Sequence, residues 1–295
     1  MPAPALKKGN RGAAVRLLKQ WLGRLLAPSV ELKSDDVFDA QTEEAVRQVQ
    51  RTALLSPADG VVGAKTWGAI GTLLGQRSQA MGPGMDLLVG PLNIDQPRFF
   101  ALYVEQFGLP TQSQYQGLSQ LLGFMDRDPE LSDLRWAAYM LATTYHETAQ
   151  TWQPIEEHGK GKGHTYGAAV KVTGSDGKVY EHAYYGRGYV QLTWKDNYDK
   201  MSRALGLGDE LVIRPERVME PEIAYRIMSY GMRNGSFTGK KLSDYIDGAT
   251  CDYYNARRII NALDRAGLIK GYALQFETIL RGSHMMTVIN VGLMA

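Results

Sequence analysis

Cysteine is almost missing from this chain. Cys251 is the single one among 295 residues, which excludes an internal disulfide framework and suits synthesis in a reducing cytoplasm. With no histidine motif near it, Cys251 reads as a small core residue rather than a nucleophile. No apolar run approaches the roughly 20 residues that span a bilayer, so stable membrane insertion is not expected. The opening MPAPALKKGNRGAAVRLL lacks an apolar h-region and a cleavage pattern, which argues against a conventional secretory signal. Dense Lys/Arg runs are also missing and the net charge is only +2. Nucleic acid is therefore not an expected partner, whereas an anionic polymer such as a cell wall is permitted.

Several catalytic signatures are absent too. His146-Glu147 would need a second histidine four residues after the first to form a zinc-peptidase pair, and that position is Gln150. His158, His164 and His182 show no regular ligand spacing, so neither a metal nor another cofactor is expected. Gly186-x-Gly188 lacks the third glycine and the βαβ setting of a dinucleotide site. No Gly-x-Ser-x-Gly elbow presents a serine nucleophile.

What is present is an ordinary globular composition, 44% hydrophobic and 22% charged, on a chain long enough for two domains. The stretch LRWAAYMLATTYHETAQTWQPIEE, residues 134–157, organises the rest. Leu134, Ala137, Ala138, Leu141, Thr144 and Tyr145 share one face at helical spacing. That predicts a buried helix ending at His146-Glu147, with Pro154 then forcing a loop that carries Glu156 and Glu157. A carboxylate on a rigid helix end, and a second on a loop nine residues later, suit acid and base roles on opposite sides of one bond. Apolar neighbours around Glu147 would disfavour its charge, as a general acid needs, while a wet loop would keep the second carboxylate ionised. The bland alternative is that Glu147 merely pairs with Arg187 while Glu156 and Glu157 are solvated.

Upstream, residues 35–42 (DDVFDAQT) recur 24 positions later as residues 59–66 (DGVVGAKT). Thr42 and Thr66 are the expected helix N-caps, and Ala13–Leu26 carries apolar residues at helical spacing, so a three-helix unit is predicted. Residues 76–91 lose periodicity and gain Gly and Pro, as a linker does. Arg98–Phe107 and Tyr115–Asp126 look helical. Val170 and Val172 on one side of Gly-Ser-Asp-Gly, with Val179 on the other, predict a hairpin, read as a flap beside the site. Pro221 opens a helix that stops near Asn234-Gly235. Ala256–Leu263 and Tyr272–Leu280 complete the predicted helices. Residues 282–295 begin Gly-Ser-His-Met, like a cloning scar, and stand outside this fold argument.

Two resemblances follow from these motifs. Leu6…Gly9…Gly12…Val15…Leu18, Phe38…Thr42…Ala45-Val46…Gln50 and Asp59-Gly60-Val61-Val62-Gly63…Thr66-Trp67 resemble the peptidoglycan-binding module of cell-wall hydrolases. It departs from that pattern at Asp39, where the family often has Gly. Phe38 and Trp67 are candidates for stacking on wall sugar or peptide, with a core role as the alternative. His146-Glu147-Thr148, Tyr184-Tyr185-Gly186-Arg187-Gly188, Gln191-Leu192-Thr193 and Asn197-Tyr198 resemble glycoside hydrolase family 19, which includes plant chitinases and phage endolysins. Gly231-Met232…Gly235-x-Phe237-Thr238-Gly239 and Ala256-Arg257-Arg258-Ile259-Ile260-Asn261 are closer to its phage and bacterial muramidase branch.

The resemblance implies Glu147 as general acid, Glu156 as general base with Glu157 as rival, and Thr193 as the hydroxyl that helps hold the attacking water. It implies substrate contacts for His146, Glu157, Tyr185, Arg187, Gln191, Asn197 and Asn261, and makes Trp152, Tyr189 and Trp194 candidate sugar platforms beside Tyr185. Chitinases carry Ser at the place of Thr193, and Gly-Gly after the late Asn where this chain has Ala262-Leu263; both departures count against a chitinase. The expected fold is mainly α: a small three-helix wall-binding domain (1–75), a linker (76–91) and a larger lysozyme-like catalytic domain with a small hairpin (92–281). The expected function is that of a phage-type endolysin, a monomer that cleaves the β-1,4 bond between N-acetylmuramic acid and N-acetylglucosamine of peptidoglycan with inversion. Its carboxyls would then stand about 6.5–9.5 Å apart. It would be made in the host cytoplasm and reach the wall through a separate pore-forming protein, a holin. A chitinase and a non-catalytic wall-binding protein are the alternatives.

Overall fold

A computed structural model describes residues 5–26, 30, 32–33, 35–77 and 92–284. The expected linker from residue 78 onward and the tail from residue 285 lie outside them. The described chain is mainly α and divides into two compact units, at Gln116/Gly117 and again at Phe276/Glu277. Among the described residues no helix is long and apolar enough to cross a membrane.

In the first unit, α1 (Ala13–Leu26), α2 (Ala40–Thr52) and α3 (Ala64–Arg77) enclose a core that includes Val15, Leu18, Trp21, Leu22, Val46, Val49 and Ile70. The two sequence copies are two equivalent turns, each paired antiparallel with the N-terminal segment: Arg11 with Val37 and Leu6 with Val62. Each turn closes on a buried polar side chain. Lys19 reaches Asp35 at 2.6 Å and the Val37 carbonyl at 3.0 Å. Gln50 reaches Asp59 at 3.1 Å and the Val61 carbonyl at 2.9 Å, and accepts from Gly60 N at 2.9 Å. Neither threonine caps its helix. Asp39 is the N-cap of α2, accepting from the Thr42 amide and hydroxyl, both at 2.8 Å. Both threonines lie inside their helices, and at α2 a carboxylate already fills the cap position. Phe38 is fully buried and Trp67 nearly so, its ring edge-to-face with Trp21 at 5.4 Å. Of the two roles open to these rings, the structure gives the core one and not the stacking surface.

After Asp95, which caps α4 (Gln96–Phe107), comes α5 (Gln112–Asp126). In the second unit α6 (Leu134–Glu147) is buried on almost every side. It stops at Thr148, and the chain reverses through left-handed Ala149 and Gln150. β1 (Ile155–Glu156), β2 (Val170–Thr173), β3 (Val179–His182) and β4 (Arg187–Gly188) follow. β2 and β3 form the expected hairpin, registered Val172 to Tyr180. β1 pairs with β4, Glu156 opposite Arg187, so the second carboxylate sits on a short strand rather than on a loop. α7 (Lys195–Ala204) and α8 (Glu210–Ile213) lead to α9 (Pro221–Asn234), which ends on left-handed Gly235.

Three expectations are corrected toward the C-terminus. β5 (Ile246–Asp247) and β6 (Thr250–Cys251) place Cys251 on the surface, not in the core. The helix expected at 256–263 is replaced by α10 (Tyr253–Ala256) and a tight turn, because that turn wraps the buried Arg257 guanidinium, whose Nε donates to the Asp264 carbonyl at 3.0 Å. Finally, α11 (Ala266–Ser283) runs on into the segment set aside as a scar. In the first unit Asp95 N donates to the Ser283 carbonyl at 2.9 Å and Ile94 bridges His284. A Cβ on Gly282 would meet Leu102 at 2.7 Å, so residues 282–284 belong to the fold.

Candidate active site

Glu147 is the last residue of α6. A buried cation meets it: Arg257 Nη1 lies 2.7 Å from Glu147 Oε1, with the two side chains 3% and 17% exposed. The apolar surroundings expected for Glu147 are therefore not what it has, and its cation is Arg257 rather than Arg187. The same turn brings Asn261 close, since its amide donates to the Arg257 carbonyl at 3.0 Å. Its side chain is exposed and accepts from the Ala262 amide at 2.8 Å. His146 is half-buried beside Glu147.

Glu156 belongs to a second cluster. Tyr185 Oη donates to its Oε1 at 2.7 Å and Arg187 Nε at 3.3 Å, while Lys160 Nζ stands 3.0 Å from Oε2. Burial alone would raise the pKa of this carboxyl. The Tyr185, Lys160 and Arg187 donors outweigh it and hold the group below the ordinary glutamate value. Arg187 is itself fixed on every side. Its Nη1 donates to the Ala183 carbonyl and to Tyr198 Oη, both at 3.1 Å, and its guanidinium lies 3.7 Å from the Tyr185 ring centroid. Tyr198 Oη in turn donates to the Tyr185 carbonyl at 2.8 Å.

Glu157, one residue on, is turned to different work, as alternation along an extended chain requires. Its carboxylate accepts from Tyr166 Oη at 2.9 Å and from the Gly186 amide at 3.1 Å. It therefore ties the 184–188 loop to the Gly-rich segment. Gln191 adds a third tie, donating to the Ile155 carbonyl at 3.1 Å. Thr193 Oγ1 donates to the Gln191 carbonyl at 2.9 Å, and Asn197 Nδ2 to the Thr193 carbonyl at 2.8 Å.

The structure thus gathers Glu156, Glu157, Tyr185, Arg187, Gln191, Thr193 and Asn197 into one network and pairs Glu147 with Arg257, which Asn261 meets through its backbone amide. Of the candidate platforms, Trp152 and Tyr189 are buried in the core. Trp152 packs on Tyr145 and Phe276 at 5.3 and 5.5 Å. Trp194 alone is a large exposed ring, 50% accessible, edge-on to Tyr166 at 5.3 Å. Arg257 and Tyr198 stand inside motifs named above but had no expected role, and Lys160 and Tyr166 had none either. Lys160 stands four residues after Glu156, a spacing that points to it. Among the described residues no group of three or more His, Cys, Asp or Glu could hold a metal ion.

Residues 11–70 match a family described as "Putative peptidoglycan binding domain". No curated protein matches the chain. Among solved structures the chain is similar to chitinase C from Streptomyces griseus HUT6037, at 19% identity and a TM-score of 0.41, over 64% of this chain and 78% of that one. It is also similar to a bacterial family 19 chitinase, at 18% identity and a TM-score of 0.44, over 64% of this chain and 97% of that one.

Proposed function

We propose that this protein hydrolyses peptidoglycan at the β-1,4 bond between N-acetylmuramic acid and N-acetylglucosamine, with inversion, as a phage-type endolysin. The observation that carries the reading is a pair of partly exposed carboxylates, each held by its own buried arginine: Glu147 by Arg257 and Glu156 by Arg187. The peptidoglycan-binding match over residues 11–70 supports a wall substrate.

In this mechanism Glu147, in its protonated form, donates a proton to the glycosidic oxygen as that bond breaks, and Arg257 pairs with the carboxylate left behind. Arg257 engages Oε1, so Oε2 is the oxygen that serves the leaving group. Glu156, ionised near neutrality, accepts a proton from water as the water attacks the sugar from the opposite face. Tyr185 and Arg187 occupy Oε1, and only the exposed Lys160 must swing off Oε2 to admit that water. An exposed ion pair opens at little cost. Thr193 Oγ1 donates to the Gln191 carbonyl and keeps its lone pairs to orient the water. Glu157, committed to Tyr166 and Gly186, is the positioning partner and Glu156 the base. Release to the wall through a separate pore-forming protein belongs to the same proposal.

Digestion of purified peptidoglycan by wild type and Glu147→Gln, with products read by mass spectrometry, tests it. New reducing-end N-acetylmuramic acid that disappears in the mutant is the expected result. Reducing-end N-acetylglucosamine would move the cleaved bond, and free peptide amines or no products would overturn the reading.

A further inference from the structure

Away from both carboxylate clusters, the end of α5 with the residues just after it, Leu205 and one side of α9 border a half-open pocket of about 280 Å³ that none of the residues named above for the reaction lines. Its walls carry three guanidinium groups, Arg127, Arg226 and Arg233, against two carboxylates, Asp128 and Glu222. Asp128 is already engaged, because its Oδ2 accepts from Tyr225 Oη at 2.7 Å and from Ser229 Oγ at 2.6 Å.

The guanidiniums, by contrast, are positioned mainly by neutral groups. Arg226 Nη2 donates to the Leu205 carbonyl at 2.7 Å and Arg233 Nε to Ser229 Oγ at 3.2 Å, while Arg127 lies over the Phe124 ring at 5.7 Å. Arg233 also reaches Glu130 at 3.5 Å, but that glutamate is largely solvent-exposed, so the pair is weak. Each arginine has five N–H donors in a planar fork, and these contacts leave most of them unspent. Three guanidiniums against two carboxylates leave a net positive charge on the walls, which a bound anion would offset.

We propose that this cavity binds the carboxylate end of a short peptide. Guanidinium forks match a carboxylate in a two-bond geometry, and Phe124, Tyr225 and Tyr230 offer apolar and aromatic walls for the adjoining chain. An uncharged sugar would leave that net positive charge without a counter-charge. The volume falls near the lower limit of about 300 Å³ for ligand pockets, which suits one or two residues rather than a polymer. In a wall hydrolase the ligand is the stem peptide that branches from the glycan; that source rests on the function proposed above, whereas the carboxylate chemistry does not.

Titration calorimetry on the full chain tests this without any bond being cut. The probes are a free wall tetrapeptide, the same peptide with its carboxyls amidated, and inorganic phosphate. The expected result is tetrapeptide binding by wild type that weakens at least about tenfold, the equivalent of one lost charge-assisted hydrogen bond, on amidation and in Arg226→Gln. Arg127→Gln, at an exposed position, should weaken it likewise and guards against misfolding of the Arg226 variant. Phosphate binding as tight as the peptide's, equal binding of the amide, or no binding at millimolar peptide would overturn the proposal. Cleavage of peptide-stripped glycan is measured in parallel. If the glycan stays intact while peptide binds and Arg226→Gln weakens it, the catalytic reading fails and the pocket stands. If the glycan is cut and no peptide binds, the reverse holds.

Discussion

Arg257 Nη1 lies 2.7 Å from Glu147 Oε1 across 110 positions of sequence. The contact joins the C-terminal end of α6 to the turn after α10, and gives a buried cation the counter-charge that burial demands. Glu147 therefore has a structural partner as well as a proposed chemical task. Substitutions there must be chosen to separate the two.

Glu147→Gln keeps an acceptor oxygen for Arg257 but cannot deliver a proton as an acid. Activity on peptidoglycan should fall by about 10²–10⁴-fold, with wall binding in a pull-down unchanged. Glu147→Ala should lose the same activity and also roughly 1.5–3 kcal/mol of stability, the scale of a hydrogen bond to a charged group, seen as a lower midpoint in denaturant. Near-normal turnover by the Gln variant would remove Glu147 as the acid.

Glu156 has a folded-state pKa below its ordinary value of 4.5. Such a carboxylate contributes stability in full above the unfolded-state pKa and loses it as pH falls through the lower folded value. The acid limb of the pH–activity profile should accordingly lie below 4.5. Tyr185→Phe removes the strongest donor that lowers this pKa, so the limb should move upward toward the ordinary glutamate value. An unmoved limb in that variant would show that another group sets it.

Trp152 and Trp194 should behave oppositely. Trp152→Ala empties a buried site between Tyr145 and Phe276 and should cost about 3–5 kcal/mol in chemical denaturation. Trp194→Ala removes an exposed ring beside Tyr166; stability should change little, while KM for soluble wall fragments rises several-fold. Equal KM in that variant would exclude Trp194 as a sugar platform.

In the N-terminal module, Gln50→Ala strips the acceptor from the buried Gly60 amide and the donor from Asp59. An unsatisfied buried group costs roughly 1–3 kcal/mol. Asp39→Ala should cost about 1 kcal/mol through the lost cap of α2. A thermal scan of the full chain showing no effect of Gln50→Ala would mean that the turn does not depend on this side chain.

Much of the secondary structure was legible because its causes are local. The apolar spacing of Val15, Leu18 and Leu22 specifies α1, Pro221 and Gly235 bracket α9, and Gly-Ser-Asp-Gly turns the hairpin. Each is a matter of residues within a few positions of one another. Where two local signals compete, the stronger acceptor prevails: Asp39, three residues before Thr42, caps α2. The turn at 257–264 failed for another reason, since its conformation follows the burial of one arginine rather than any periodicity.

The candidate site divides in the same way. The sequence alone determined that acidic residues end one helix and follow a proline nine positions later, and that aromatic, Gly and Arg residues cluster at 184–188, because those are facts of chemical identity and spacing. Only the tertiary structure decided that Arg257 serves Glu147 while Arg187 serves Glu156, that Glu157 is spent on Tyr166 and Gly186, and that Phe38, Trp67 and Trp152 are covered while Trp194 is not. Charge pairing and burial act through space with no memory of chain separation, so partners 110 positions apart become neighbours only once the helices have packed.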